Sequence, residues 1–300
     1  MPEASSKPVR LMALMNQKGG VGKTTTTVNL AAAFAKAGRS TLVVDLDPQA
    51  HATLHLGVDP DNLRGSVYDA IVDENADIGS LVKERSKNLA VLGAETSLAG
   101  VEAELAGIPD KQRRLERALA KLGDRFEFVL LDCPPSLGLL TVNGLVCARE
   151  VVIPMQAHFL ALQGVGKLLE TVKLVSQGMN PRLKVTGVVL CMHDAASTHT
   201  REVVADLDAF FEEARKGDAP WKYARVMRPP VRRNIKLAEC PSFGKTIFEY
   251  APQASGAEDY AALADTLLKE WDQMLAKRSQ QTAAPNVVVV PTPMVARVGG

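Results

Sequence analysis

Three hundred residues make one large domain or two ordinary ones, with enough chain to bury a sizeable core. At 46% hydrophobic and 23% charged residues the composition is that of a globular protein, and it excludes a mainly disordered, collagenous or membrane-embedded chain. The net charge of +1 hides an uneven division: residues 222–245 carry seven basic side chains against Glu239 alone, so that segment is +6 and the remainder −5.

The apolar pattern predicts, in chain order, a strand at 11–15, a helix at 23–37, strands at 41–46 and 89–92, helices at 98–105 and 111–122, and a strand at 126–131. A helix at 137–148, a strand at 150–154, a helix at 160–176, a strand at 185–192, a helix at 200–214, a weak strand at 223–227 and a helix at 257–276 follow. Val- and Leu-rich strands alternating with amphipathic helices predict an α/β fold with a single doubly wound, mostly parallel sheet flanked by helices. The expected organisation is a disordered N-terminus over 1–8, one domain over 9–278 and a flexible tail over 279–300, where Pro285, Pro291 and Pro293 preclude a helix. No apolar run approaches the ~20 residues that span a bilayer, and no apolar segment precedes the first strand as a secretory signal requires. A cytoplasmic protein is expected, with Cys133, Cys147, Cys191 and Cys240 as reduced thiols because their spacing is too wide for a metal or redox pair.

The densest signal is the run Asn16-Gln17-Lys18-Gly19-Gly20-Val21-Gly22-Lys23-Thr24-Thr25, placed after the first strand and opening a helix. A strand, a Gly-rich loop and a helix in that order aim backbone N–H groups at phosphate oxygens, with Lys23 reaching the outer phosphates and the Thr24 hydroxyl on Mg²⁺. The strict spacing G-x-x-x-x-G-K-[ST] fails, since Gln17 holds the first glycine position; Gly19 and Gly20 follow a second lysine, Lys18. Two acids, Asp45 and Asp47, close the second strand at the end where ligands of open α/β sheets collect, and alternation predicts that they share a face. Asp132 ends another apolar strand before Pro134 and Pro135; a carboxylate there needs a metal shell or a Lys or Thr partner.

The stretch Lys18–Thr25 resembles the deviant Walker A motif of the ParA/MinD family of ATPases, and the resemblance runs over roughly residues 10–275. It implies a P-loop NTPase with ATP and Mg²⁺ as cofactors, bound by Lys18, Gly19, Gly20, Val21, Gly22, Lys23, Thr24 and Thr25. Lys18 matches the signature lysine that reaches the other subunit's phosphates in an ATP-bound homodimer. Asp47 matches the switch I acid that positions the attacking water and the Mg²⁺ shell, with Asp45 in support. Asp132 matches the Walker B acid that reaches Mg²⁺ through water. Hydrolysis to ADP and phosphate is expected to be slow without a partner.

The stretch Ala238-Glu239-Cys240-Pro241-Ser242-Phe243-Gly244-Lys245-Thr246-Ile247 is similar to the ParA branch, whose ATP-bound dimer binds DNA nonspecifically and whose hydrolysis a ParB-like partner stimulates. The resemblance thus implies a nucleoid-associated protein that partitions a chromosome, a plasmid or another assembly, with Arg228, Arg232, Arg233, Lys236 and Lys245 on DNA and no membrane partner. Where chromosome-partition members often show Asp-x-Arg-Thr, this chain has Asp194-Ala195-Ala196-Ser197. The alternatives are a MinD-like membrane-associated positioning ATPase and an iron–sulfur reductase component, the latter without the Cys-rich loops that such a cluster needs.

Overall fold

The computed structural model describes residues 8–283. Of the N-terminus expected to be disordered over 1–8, residues 1–7 lie outside the described residues, as does the expected tail over 279–300 from 284 on, with its Val287–Val290 run; residues 279–283 of that tail are helical. Eight strands form one sheet: β1 (Arg10–Leu14), β2 (Thr41–Asp45), β3 (Lys83–Ser86), β4 (Leu89–Leu92), β5 (Phe128–Asp132), β6 (Glu150–Met155), β7 (Lys184–Leu190) and β8 (Arg225–Met227). Their order is β3-β4-β2-β5-β1-β6-β7-β8, and every neighbouring pair is parallel except β3 and β4.

The central strands are apolar on both faces because helices cover both. Met12, Ala13 and Leu14 of β1, Leu42, Val43 and Val44 of β2, and Leu130 and Leu131 of β5 have no solvent exposure. Helix α1 (Lys23–Lys36) follows β1 directly. Its alanines, Val28, Leu30 and Phe34 are buried, and Phe34 meets Phe128 of β5 with ring centroids 4.5 Å apart. Lys36 occupies its last turn and Gly38, at φ +86°, lies just past its end, where a left-handed residue releases the chain toward β2. The parallel register places Asp45 of β2 beside Asp132 of β5, at the same sheet edge as the loop after β1.

Two features lay beyond the sequence pattern. Strand β3 is Lys83-Glu84-Arg85-Ser86, which has no apolar alternation; it pairs antiparallel at the sheet edge, where charge guards against further pairing. The helices α2 (His51–His55), Ile235–Glu239 and Ile247–Tyr250 are too short to show a period. The chain divides into residues 1–264, which contain the sheet and every candidate site residue, and residues 265–300, in which Lys269 pairs with Asp265 at 2.6 Å. The last helix among the described residues is Ser255–Ala283, longer than the expected 257–276. No helix among the described residues is long and apolar enough to cross a membrane.

Gly57, just past α2, and Gly244 meet backbone to backbone, at φ +70° and +60°. A Cβ on Gly244 would sit 2.7 Å from Gly57 Cα, and one on Gly57 would sit 2.8 Å from Gly244 O. Arg85 of β3 clamps the contact, donating through Nη2 to Gly244 O at 3.2 Å and through Nε to Leu56 O. Gly244→Ala therefore combines left-handed strain with a backbone collision, and is expected to lower stability by about 2–3 kcal/mol. Thermal unfolding should show a drop of roughly 5–10 °C.

Candidate functional site

Asn16 shapes the loop between β1 and α1. Its Nδ2 donates to Pro154 O at 2.8 Å, tying the loop to β6, and its Oδ1 accepts the Lys18 N–H at 3.0 Å. Gly20 and Gly22 take φ +72° and +94°, conformations that a side chain resists, and a Cβ on Gly19 or Gly20 would meet nothing within 4 Å. Gly22 caps α1 in a left-handed conformation with no side-chain cap, so no side chain competes for the helix's first N–H groups. A bare helix N-terminus after an open glycine loop is a phosphate-sized anion cradle. Val21 is buried, and Thr25 sits in the first turn, its carbonyl accepting from Asn29 Nδ2 at 2.9 Å.

The two lysines divide. Lys23 is 8% exposed and its Nζ donates to Lys18 O at 3.4 Å, so its charge lies beneath the loop. Lys18 is exposed on the rim, where its Nζ meets His158 Nε2 at 2.7 Å.

Asp132 has 1% exposure and two hydroxyl donors from one face of α1: Thr24 Oγ1 to Oδ2 at 2.7 Å and Thr27 Oγ1 to Oδ1 at 2.8 Å. These are the Thr partners that a carboxylate at this strand end requires. Thr27 escaped the sequence reading, though its position three residues after Thr24 marks it as a neighbour on the same helix face. Burial pushes the Asp132 carboxyl up to about 6 against the pull of Thr24, Thr27 and Lys23. Asp45 has no exposure and is pushed up to about 7 by burial and by the Asp132 charge beside it. Its contacts point inward: Oδ2 accepts from Thr53 N at 2.9 Å and Thr53 Oγ1 at 2.8 Å, and Oδ1 accepts from Asp47 N at 3.1 Å.

The expected sharing of a face by Asp45 and Asp47 does not hold. The strand ends at Asp45, the Asp47 N–H turns back onto the Asp45 carboxylate, and the period of two stops there. Asp45 thus anchors α2 through Thr53, while Asp47 is partly exposed beside Pro48 and accepts the Gln49 N–H through Oδ1 at 3.0 Å. His55 of α2 is buried, meets Cys240 Sγ at 3.4 Å, and is held near 4 by burial.

The basic candidates separate into paired and unpaired. Arg228 pairs with Asp208 at 2.8 Å, and Lys236 with Glu239 at 2.8 Å. Arg232 is built into the fold: it pairs with Glu258 at 3.0 Å and with the buried Asp259 at 2.7 Å, and its own N–H also donates to Asp259. Arg233 and Lys245 are exposed, and neither has an ion-pair partner among the described residues. The +6 of the segment is therefore offset in space by acids distant in sequence, which a count along the chain misses.

A family model described as an AAA domain matches residues 9–185. The chain is 41% identical to the chromosome partitioning protein ParA of Myxococcus xanthus, over 87% of this chain and 88% of that one. It is also 41% identical to the sporulation initiation inhibitor protein Soj of Bacillus subtilis, over 85% of this chain and 96% of that one. Among solved structures it is similar to a cobyrinic acid a,c-diamide synthase of Mycobacterium smegmatis with an ATP analogue and magnesium bound: TM-score 0.74 and 37% identity, covering 88% and 96% of the two chains.

The two raised carboxyls give a pH signature. Between the unfolded value of about 3.9 and the folded values of about 6 and 7, these two groups bind more protons in the folded state than in the unfolded one, so their contribution to stability falls as pH rises through that window, outweighing the opposite slope of the one group His55, held near 4. The melting temperature of the ligand-free protein should decline from pH 5 to pH 8. Asp132→Asn, whose amide the rotatable Thr24 and Thr27 hydroxyls can accommodate, should flatten that decline by several degrees.

Proposed function

The chain belongs to the ParA/MinD family of deviant Walker A ATPases, and on that premise we propose that it is a partition ATPase whose ATP-bound dimer binds DNA without regard to sequence. The observation that carries the reading is the division of labour in one loop, with Lys23 buried beneath it and Lys18 exposed on its rim. In this reading one lysine serves the loop's own phosphates and the other serves those of a second subunit.

The residues fit ATP and Mg²⁺. An uncapped helix N-terminus behind two left-handed glycines suits a polyphosphate, and a carboxyl raised by burial beside a threonine hydroxyl is a group that a cation would relieve of its desolvation cost. Bound ATP supplies a γ-phosphoryl group for transfer to water, and Mg²⁺ neutralises the charge on it. Lys23 holds a positive charge under the outer phosphates. Thr24 presents its hydroxyl at the first turn of α1, with Asp132 behind it as acceptor. Asp47, whose Oδ1 is engaged by Gln49, orients a water through Oδ2. Lys18 reaches the partner subunit's phosphates, which makes dimerisation depend on ATP.

For DNA, Arg233 and Lys245 are the contacts, because Arg228, Arg232 and Lys236 already have carboxylate partners. A ParB-like protein stimulating hydrolysis, and a place on the nucleoid within the cytoplasm, complete the reading; the partition role itself is supported by the likeness to a chromosome partitioning protein.

Lys23→Ala should abolish ATP binding, whereas Lys18→Ala should retain it and lose the ATP-dependent dimer, as light scattering on a sizing column would show. A full-sized dimer in Lys18→Ala removes the trans role. On DNA, two phosphate contacts per subunit give the dimer a log–log salt slope of about −4, each contact contributing about −0.9. Arg233→Ala with Lys245→Ala should flatten the slope alike on all sequences and leave ATP binding intact. A wild-type slope in that double variant reduces these two residues to a solvated face.

A further inference from the structure

Lys18 is the group on which the proposed dimer turns, and in the monomer its ammonium is already engaged. The backbone of Lys18 is fixed at both sides: its N–H donates to Asn16 Oδ1, and its carbonyl accepts Lys23 Nζ. With the stem rooted in this way, the position of the ammonium is set by what it touches, and it touches His158 Nε2 at 2.7 Å. His158 stands at the N-cap of the helix Phe159–Gly178, just after β6, and its own N–H is turned back onto Gln156 O at 3.0 Å. Beside the contact lies a cavity of about 200 Å³ lined by Asn16, Gln17, Lys18, Val21, Gln156 and His158 among others, so the lysine has room to leave.

An ammonium has only protons to offer, and a ring nitrogen can accept one only while its lone pair is free. The contact therefore requires a neutral imidazole with its proton on Nδ1. We propose that His158 is a positioning residue that holds Lys18 over its own subunit, and that the lysine must leave this imidazole before it can reach across a dimer. The inference rests on the reading of Lys18 as the residue that acts in trans. It makes dimerisation a competition between two acceptors for one ammonium: the His158 nitrogen at home and the phosphate oxygens of the second subunit.

The groups that face His158 are Lys18 from the phosphate loop and His199 from the helix Thr198–Ala214. Burial first, and then the Lys18 charge, hold the imidazole below its ordinary value. When Lys18 departs, the second of these causes goes with it, and the imidazole takes up a proton more readily. Lower pH therefore favours the released lysine and, through it, the dimer.

The test is sedimentation velocity on the full chain with a nonhydrolysable ATP analogue and Mg²⁺, comparing wild type, Lys18→Ala, His158→Ala and His158→Gln. Removing the acceptor in His158→Ala should tighten the dimer by about three- to fivefold, the scale of one solvent-accessible hydrogen bond. His158→Gln, whose amide oxygen is again an acceptor, should return the dissociation constant toward wild type. Wild type should also gain affinity between pH 7.5 and pH 6 relative to His158→Gln; Asp45 and Asp132 titrate in both proteins and drop out of that difference. A His158→Ala dimer no tighter than wild type, or equal pH dependence in wild type and His158→Gln, overturns the hold. A Lys18→Ala dimer as tight as wild type overturns the trans reading and the inference together.

Discussion

One carboxylate without solvent ties the sheet to the loop that faces the ligand end. Asp132 ends β5, and both of its oxygens are taken by threonine hydroxyls of α1, one turn of helix apart. An ionised carboxylate in such a place is costly unless donors surround it, and here the donors come from the helix whose N-terminus forms the anion cradle. The position of α1 against β5, and with it the aim of the first N–H groups, is thus fixed by the same bonds that keep Asp132 in place. Asp45 repeats the arrangement one strand over, with Thr53 of α2 as its donor. Two adjacent strands each end in an acid, and each acid positions a helix beside the loop.

This explains why the acids sit as neighbours despite the repulsion between them. Burial raises the proton affinity of both, the Asp132 charge adds to it at Asp45 and the Asp47 charge at Asp132, so the site without ligand holds charge reluctantly. A site of this kind has a standing affinity for a cation and for the lysine beneath the loop. The strain of the pair is a local cost offset by the fold around it, as at many functional sites.

Much of this was legible in the sequence, and the boundary of legibility has physical causes. Seven of the eight strands and the glycine loop follow from apolar runs and from residue types that only one backbone geometry requires. Strand β3 was not legible, because a charged edge strand owes its existence to the neighbour that pairs with it and carries no apolar period of its own. The partners of the acids were half legible: Thr24 belongs to the motif, Thr27 follows from helical spacing, and Thr53 lies in a helix of five residues that no periodicity reveals. Alternation failed at Asp47 because it is a property of strands, and the strand had ended.

The basic segment teaches the complementary point about charge. Summed along the chain it is +6, yet Arg228, Arg232 and Lys236 each meet a carboxylate, and Asp208, Glu258 and Asp259 come from helices outside the segment. Arg232 is engaged most fully: three of its donors, one of them the backbone N–H, converge on a single buried acid, and that geometry fixes the turn rather than presenting charge to a partner. The positive charge left without an ion-pair partner among these candidates therefore narrows to Arg233 and Lys245. Lys245 follows Gly244, which rests on Gly57 at the end of α2, and α2 is anchored through Thr53 to Asp45. Lys245, exposed and without an ion-pair partner among the described residues, is therefore mounted on the same turn-and-helix assembly that one of the site's buried carboxylates holds in place.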